Sequence, residues 1–95
     1  MLPYRYTPLY RSSNGTLSAM PGKSYNMIPI KADNIDNLRK NLMNKSIHAD
    51  RIMVYRKSGT LIGYMCFKGS KVYWTPNTEE NHYELNKDGT RRKAV

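Results

Sequence analysis

Between Arg51 and Thr75 the chain carries five basic residues, Arg51, Arg56, Lys57, Lys68 and Lys71, and no acidic one. They are interleaved with Tyr55, Tyr64, Tyr73 and Trp74. Cations set among aromatic rings suit a partner that offers both negative charge and flat rings, and nucleic acid is the commonest such partner. The pattern implies binding chemistry and specifies no biochemical role.

Bond-making chemistry is less well represented. His48, His82 and Cys66 show no metal-ligand spacing. No Gly-x-Gly-x-x-Gly, P-loop or nucleophile elbow occurs, so no cofactor is implied. Glu79, Glu80 and Glu84 read as part of a solvated loop. One enzymatic arrangement stays open, that of small basic ribonucleases of the toxin type. There His82 or Tyr83 would act as general base, with Arg91 and Arg92 stabilising the charged phosphorane.

The whole chain supports a cationic surface. Sixteen basic and seven acidic residues give a formal charge of +9 and a pI near 9.9. Such an excess attracts phosphate, anionic lipid or an acidic protein over about 8 Å at physiological salt. Nine Asn and nine Lys also match an AT-rich coding sequence, which raises basic content without any binding role. Hydrophobic residues make up 39% and the mean hydropathy is −0.74, polar for a globular chain yet too apolar for disorder throughout. With 95 residues the chain is one small domain with a thin core. Cys66 is the only cysteine, so no intrachain disulfide forms and a reducing compartment is expected. No run approaches the roughly 18 apolar residues of a membrane span. Arg5 and Arg11 interrupt any signal-peptide core. A cytoplasmic protein follows by elimination.

Residues 1–24 read as a basic, tyrosine-bearing arm, flexible or partly docked, because Pro3, Pro8, Pro21, Gly15 and Gly22 break any period. Residues 25–95 form the domain proper. Tyr25–Lys31 alternates as a strand, with Pro29 favouring a sheet edge. Asp33–Ser46 is the clear helix, with Asp33 as cap and Asp36 completing a capping box. Ile35, Leu38 and Leu42 make its apolar stripe, and Asn34, Asn37, Asn41 and Asn44 its solvated face. Arg51–Arg56, Thr60–Phe67 and Val72–Thr75 follow as a meander with tight turns at 58–59 and 69–70. His82–Leu85 and Thr90–Lys93 form a weaker hairpin around Asn86-Lys87-Asp88-Gly89.

Two-residue turns set the register by counting. Tyr55 pairs with Ile62, Met53 with Tyr64, Lys68 with Lys71, Cys66 with Tyr73, and Tyr64 with Thr75. One face then holds Ile52, Val54, Leu61, Gly63, Met65, Phe67, Val72 and Trp74, with Arg56 at its end. The other holds Arg51, Met53, Tyr55, Lys57, Ile62, Tyr64, Cys66, Lys68, Lys71 and Tyr73. A bulge at Gly59 with a three-residue loop would slip Arg51–Arg56 by one and move Ile52 and Val54 across.

The expected fold is α+β, a mainly antiparallel sheet in the order β-α-β-β-β with a terminal hairpin and one helix on one face. The expected function is binding of RNA or single-stranded DNA. Tyr55, Tyr64 and Tyr73 would stack bases. Arg51, Lys57, Lys68 and Lys71 would meet phosphates, and Arg91, Arg92 and Lys93 would extend the track. The alternatives are an interaction module or phage-type regulator for an acidic protein or a nucleic-acid-handling enzyme, and a homodimer pairing its aromatic face.

Overall fold

The computed structural model describes residues 1–18, 27–45 and 48–94. The elements run β1 (Leu2–Arg11), β2 (Leu17–Ser18), β3 (Ile28–Ala32), α1 (Ile35–Asn44), β4 (Arg51–Arg56), β5 (Leu61–Lys68), β6 (Lys71–Pro76), β7 (Tyr83–Leu85) and β8 (Arg91–Ala94). The eight strands form one antiparallel sheet in the order β2-β1-β4-β5-β6-β7-β8, with β3 also paired to β1. The fold is α+β with a single helix against the sheet, as the sequence implies, but the sheet is larger.

The added strands come from the stretch read as an arm. Residues 2–11 form β1, paired with β4 on one edge and with β2 and β3 on the other. Tyr4 and Tyr6 are buried in the core. The prolines hid this period-two signal. Each sits where a missing N–H is tolerated: Pro3 pairs only with β3 and Pro8 only with β4 among the described residues. Residues 19–26 lie outside the described residues, and with them the start of the strand expected at Tyr25. Pro29 lies on β3, at the sheet margin, as expected.

Three turns repeat one device. Asn14-Gly15-Thr16, Ser58-Gly59-Thr60 and Asp88-Gly89-Thr90 each close a three-residue hairpin loop. In each, the glycine N–H donates to the residue three back, and that residue's N–H donates to the threonine carbonyl at 2.8–2.9 Å. The three glycines have φ of 86°, 96° and 85°, the left-handed geometry of a type I turn followed by a bulge. The residue before each glycine accepts from the threonine N–H through its side chain.

Gly59 therefore does bulge, and the expected pair of Tyr55 with Ile62 is replaced by Tyr55 with Leu61. A second irregularity between Val54 and Tyr55 takes up the slip, leaving Met53 opposite Tyr64. Ile52 and Val54 stay in the core with no solvent exposure. The consequence is local: Ile62 packs against the core, whereas Leu61, assigned to the core face by simple counting, does not. The hairpin at Gly69-Ser70 has the expected register throughout.

Leu38, Leu42, Ile52, Val54 and Met65 are the largest fully buried side chains, each contributing about 1.5–3 kcal/mol. Trp74 lies so close over Gly63 that a Cβ there would sit 2.7 Å from the ring. Asn34, not Asp33, caps α1, accepting from Asn37 N–H at 2.8 Å, while Asn37 Oδ1 accepts from Asp33 N–H at 3.1 Å. The amide side chains satisfy the orphan donors at close range, so part of the asparagine face is structural.

Both ends of the sheet reach α1. β3 contacts it from one side. At the other, a Cβ on Gly89 would fall 2.0 Å from the Asp36 carbonyl oxygen and 2.7 Å from Lys40 N. The sheet therefore curls around the helix. Arg39, only 3% exposed, holds the closure. Its Nε donates to Gly89 O at 2.8 Å, its Nη2 pairs with Asp36, and its guanidinium lies 5.2 Å from the Trp74 ring centroid.

Three outcomes follow. Gly15→Ala and Gly89→Ala share a left-handed φ, but only Gly89 lacks space. Urea denaturation will show a loss of about 1–2 kcal/mol for Gly15→Ala and of about 3–4 kcal/mol for Gly89→Ala. Arg39→Ala leaves the Gly89 carbonyl without its donor and will cost about 2–4 kcal/mol in the same assay. Thr90 donates to Asp88 from both its amide and its hydroxyl, and these bonds hold the Asp88 carboxyl below the ordinary carboxylate range. A depressed folded-state value stabilises fully above the unfolded value of about 3.9 and is lost as pH falls through the folded one. The Tm difference between wild type and Asp88→Asn will therefore shrink from pH 5 towards pH 2.

Candidate nucleic-acid interface

The face of the sheet turned away from α1 carries the residues singled out by type. β4 supplies Arg51, β5 supplies Tyr64, Cys66 and Lys68, and β6 supplies Tyr73. The register places Arg51 and Tyr73 on either side of Cys66. Between the strand ends lies a cleft of about 550 Å³, lined by Arg11, Arg51, Tyr64, Lys68, Tyr73 and His82 among others.

The geometry departs from a bare aromatic plate. The Arg51 guanidinium lies 4.3 Å from the Tyr64 ring centroid, and Lys68 Nζ lies 5.9 Å from that of Tyr73. Each ring thus already carries a cation on its face. Tyr55, Tyr64 and Tyr73 are all half-buried, so the face is neither sealed nor fully open. Arg51 Nε is buried with no hydrogen-bond partner among the described residues. A buried donor left unpaired costs about 1–3 kcal/mol.

Four lining residues, Leu17 of β2 among them, come from outside the meander. Arg11 arrives because β1 pairs with β4, placing Leu9 opposite Arg51; its Nη1 donates to Gly15 O at 3.0 Å. Asp50 is the only acid lining the cleft. Its Oδ2 accepts from the Arg11 backbone N–H at 2.7 Å. His82 enters through Nδ1, which lies 2.5 Å from the hydroxyl of buried Thr75. Period-two alternation within residues 1–11 was the one signal that could have found Arg11.

The remaining expected residues are scattered. Tyr55 lies at the far end of β4 and Lys57 in the turn just beyond it, both outside this cleft. Arg5 crosses from Tyr55's neighbour strand and donates from Nε to Lys57 O at 3.2 Å. Lys71 is 3.9 Å from Glu84, and Arg92 is 3.1 Å from the same carboxylate. Lys93 is exposed on β8. Arg91 lies 4.5 Å from the Tyr83 ring and lines a different cleft, beside the helix. The basic C-terminal run therefore does not extend the track as a unit.

The residues of the ribonuclease arrangement are dispersed in the same way. His82 faces the outer cleft and Arg91 the helix side. Tyr83 OH donates to Glu79 at 2.6 Å, and this bond, with burial, raises its pKa. Among the described residues no cluster of His, Cys, Asp and Glu is placed to hold a metal ion, and no helix is long and apolar enough to cross a membrane.

Fold and site together define a small basic protein whose one helix is wrapped by an antiparallel sheet with a cationic cleft on its outer face. No protein-family model, curated protein or solved structure matches the chain.

Proposed function

We propose that this protein binds single-stranded nucleic acid, RNA or DNA, in the outer cleft. The observation that carries this reading is the stacked pair of Arg51 on Tyr64, set in a cleft that Arg11 and Lys68 also line. Bases stack on guanidinium planes as well as on rings, and an unpaired strand can present both its bases and its phosphates to one cleft. Arg51 and Tyr64 form the stacking platform. Arg11 and Lys68 meet phosphates, and Tyr73 supports Lys68.

A second reading rests on the covered rings. With Arg51 and Lys68 already over Tyr64 and Tyr73, the same cleft suits an acidic protein, for which Tyr and Arg are common anchors. A partner retained on the protein after nuclease treatment, with no binding to purified oligonucleotides, would favour it.

Fluorescence anisotropy with single- and double-stranded RNA and DNA separates these. Single strands will bind more tightly than duplexes. The slope of log affinity against log salt will be about −2 for three engaged cations, Arg11, Arg51 and Lys68. Arg51→Ala and Tyr64→Ala will each weaken binding roughly tenfold or more. Binding that is equal for duplex and single strand, or unchanged in Tyr64→Ala, overturns the stacking mechanism.

A further inference from the structure

A second cleft of about 550 Å³ lies on the helix side of the sheet, where Arg39, Arg56 and Arg91 converge beside Trp74. We propose that it binds a small phosphate monoester carrying a compact apolar or flat body. Its volume lies within the usual range for small-molecule sites, about 300–1,000 Å³.

Charge is the first argument. Three guanidinium groups line the cleft against one carboxylate, Asp36, which is already paired with Arg39. Arg56 and Arg91 have no carboxylate within ion-pair distance among the described residues. Arg39 is buried, with Nε committed to Gly89 O and Nη2 to Asp36. No hydrogen bond of its Nη1 is present among the described residues. Burial, and to a lesser extent the charge of Arg91, pulls its pKa down from the ordinary arginine value. Further negative charge placed here would counter the repulsion between Arg39 and Arg91. Planar guanidinium forks match phosphate oxygens in pairs, which a dianionic monoester exploits fully.

Shape and surroundings set the rest of the ligand. Ile35, Ile62 and Trp74 supply an apolar wall, with Asn77 and Thr78 at the rim. A polyanion is disfavoured. A smaller hollow of about 400 Å³ shares Pro76 and Asn77 with this cleft and Arg51 and Tyr64 with the outer one, and Glu79 and Glu80 line it. A strand running between the two basic clefts would meet that acidic pair. The ligand is therefore small and its site independent of the outer one.

Trp74 is the only tryptophan, so its indole N–H gives a single NMR reporter inside the cleft. Phenyl phosphate will shift that resonance saturably, and phenol will bind at least tenfold more weakly. Arg56→Gln with Arg91→Gln, both at exposed positions, will weaken phenyl phosphate at least tenfold with an unchanged urea midpoint. Oligonucleotide binding at the outer cleft will persist in that double variant. Equal binding of phenol and phenyl phosphate, no saturable shift at millimolar phenyl phosphate, or wild-type affinity in a folded double variant overturns the proposal. The wild-type comparison of the two ligands decides even if the double variant fails to fold. Loss of the outer-cleft reading alone leaves the Trp74 response intact.

Discussion

The turn at Gly89 lies against the backbone of α1 so closely that no side chain fits between them, and the Arg39 guanidinium bridges the contact from inside. This approach ties the last hairpin to an element that precedes it by about fifty residues. Because β3 holds the opposite end of the sheet to the same helix, the sheet has to curl. The β5–β6 register sets Trp74 diagonally over Gly63, Arg39 lies against the same indole, and the thin core closes around Leu38 and Leu42. A buried cation is costly unless its donors are used. Here a carboxylate, a carbonyl and an indole ring surround it.

The two faces of the sheet survive a local conflict. The Ser58-Gly59 turn adds a residue to its loop, which alone would have turned Ile52 and Val54 outward. A compensating irregularity beside Ile62 restores the alternation within one residue pair. Exchange of Leu61 for Ile62 in the core is a small change. A full slip would have exposed two fully buried side chains and turned Arg51 inward, so burial selects the compensated register.

Charge is distributed by the same folding. Glu84 draws Lys71 and Arg92 towards itself at the sheet margin. Three cations line each of two clefts, one on each side of the sheet, with Glu79 and Glu80 lining the hollow between them. Other cations, Lys31, Lys57 and Lys93 among them, line neither cleft, so the net charge of +9 is spread over the surface rather than set in one continuous band.

The helix stripe of Ile35, Leu38 and Leu42, the central strands of the meander and the pairing of Cys66 with Tyr73 were legible in the sequence, because period and turn chemistry act over a few residues. The candidate-site residues Arg51, Tyr64, Lys68 and Tyr73 were legible for the same reason: two adjoining hairpin registers place them. Arg11 and His82 in the outer cleft, and Arg39 at the heart of the closure, were not. Arg11 and Arg39 owe their places to contacts across a large sequence separation, β1 on β4 and Gly89 on α1, and nothing in their neighbours records that pairing; His82 is held by a side-chain bond to Thr75 that no local period signals. Local alternation determined which side chains share a face of the meander. Only the burial of the whole sheet around one helix decided which cations meet, because desolvation and close packing are properties of the assembled molecule.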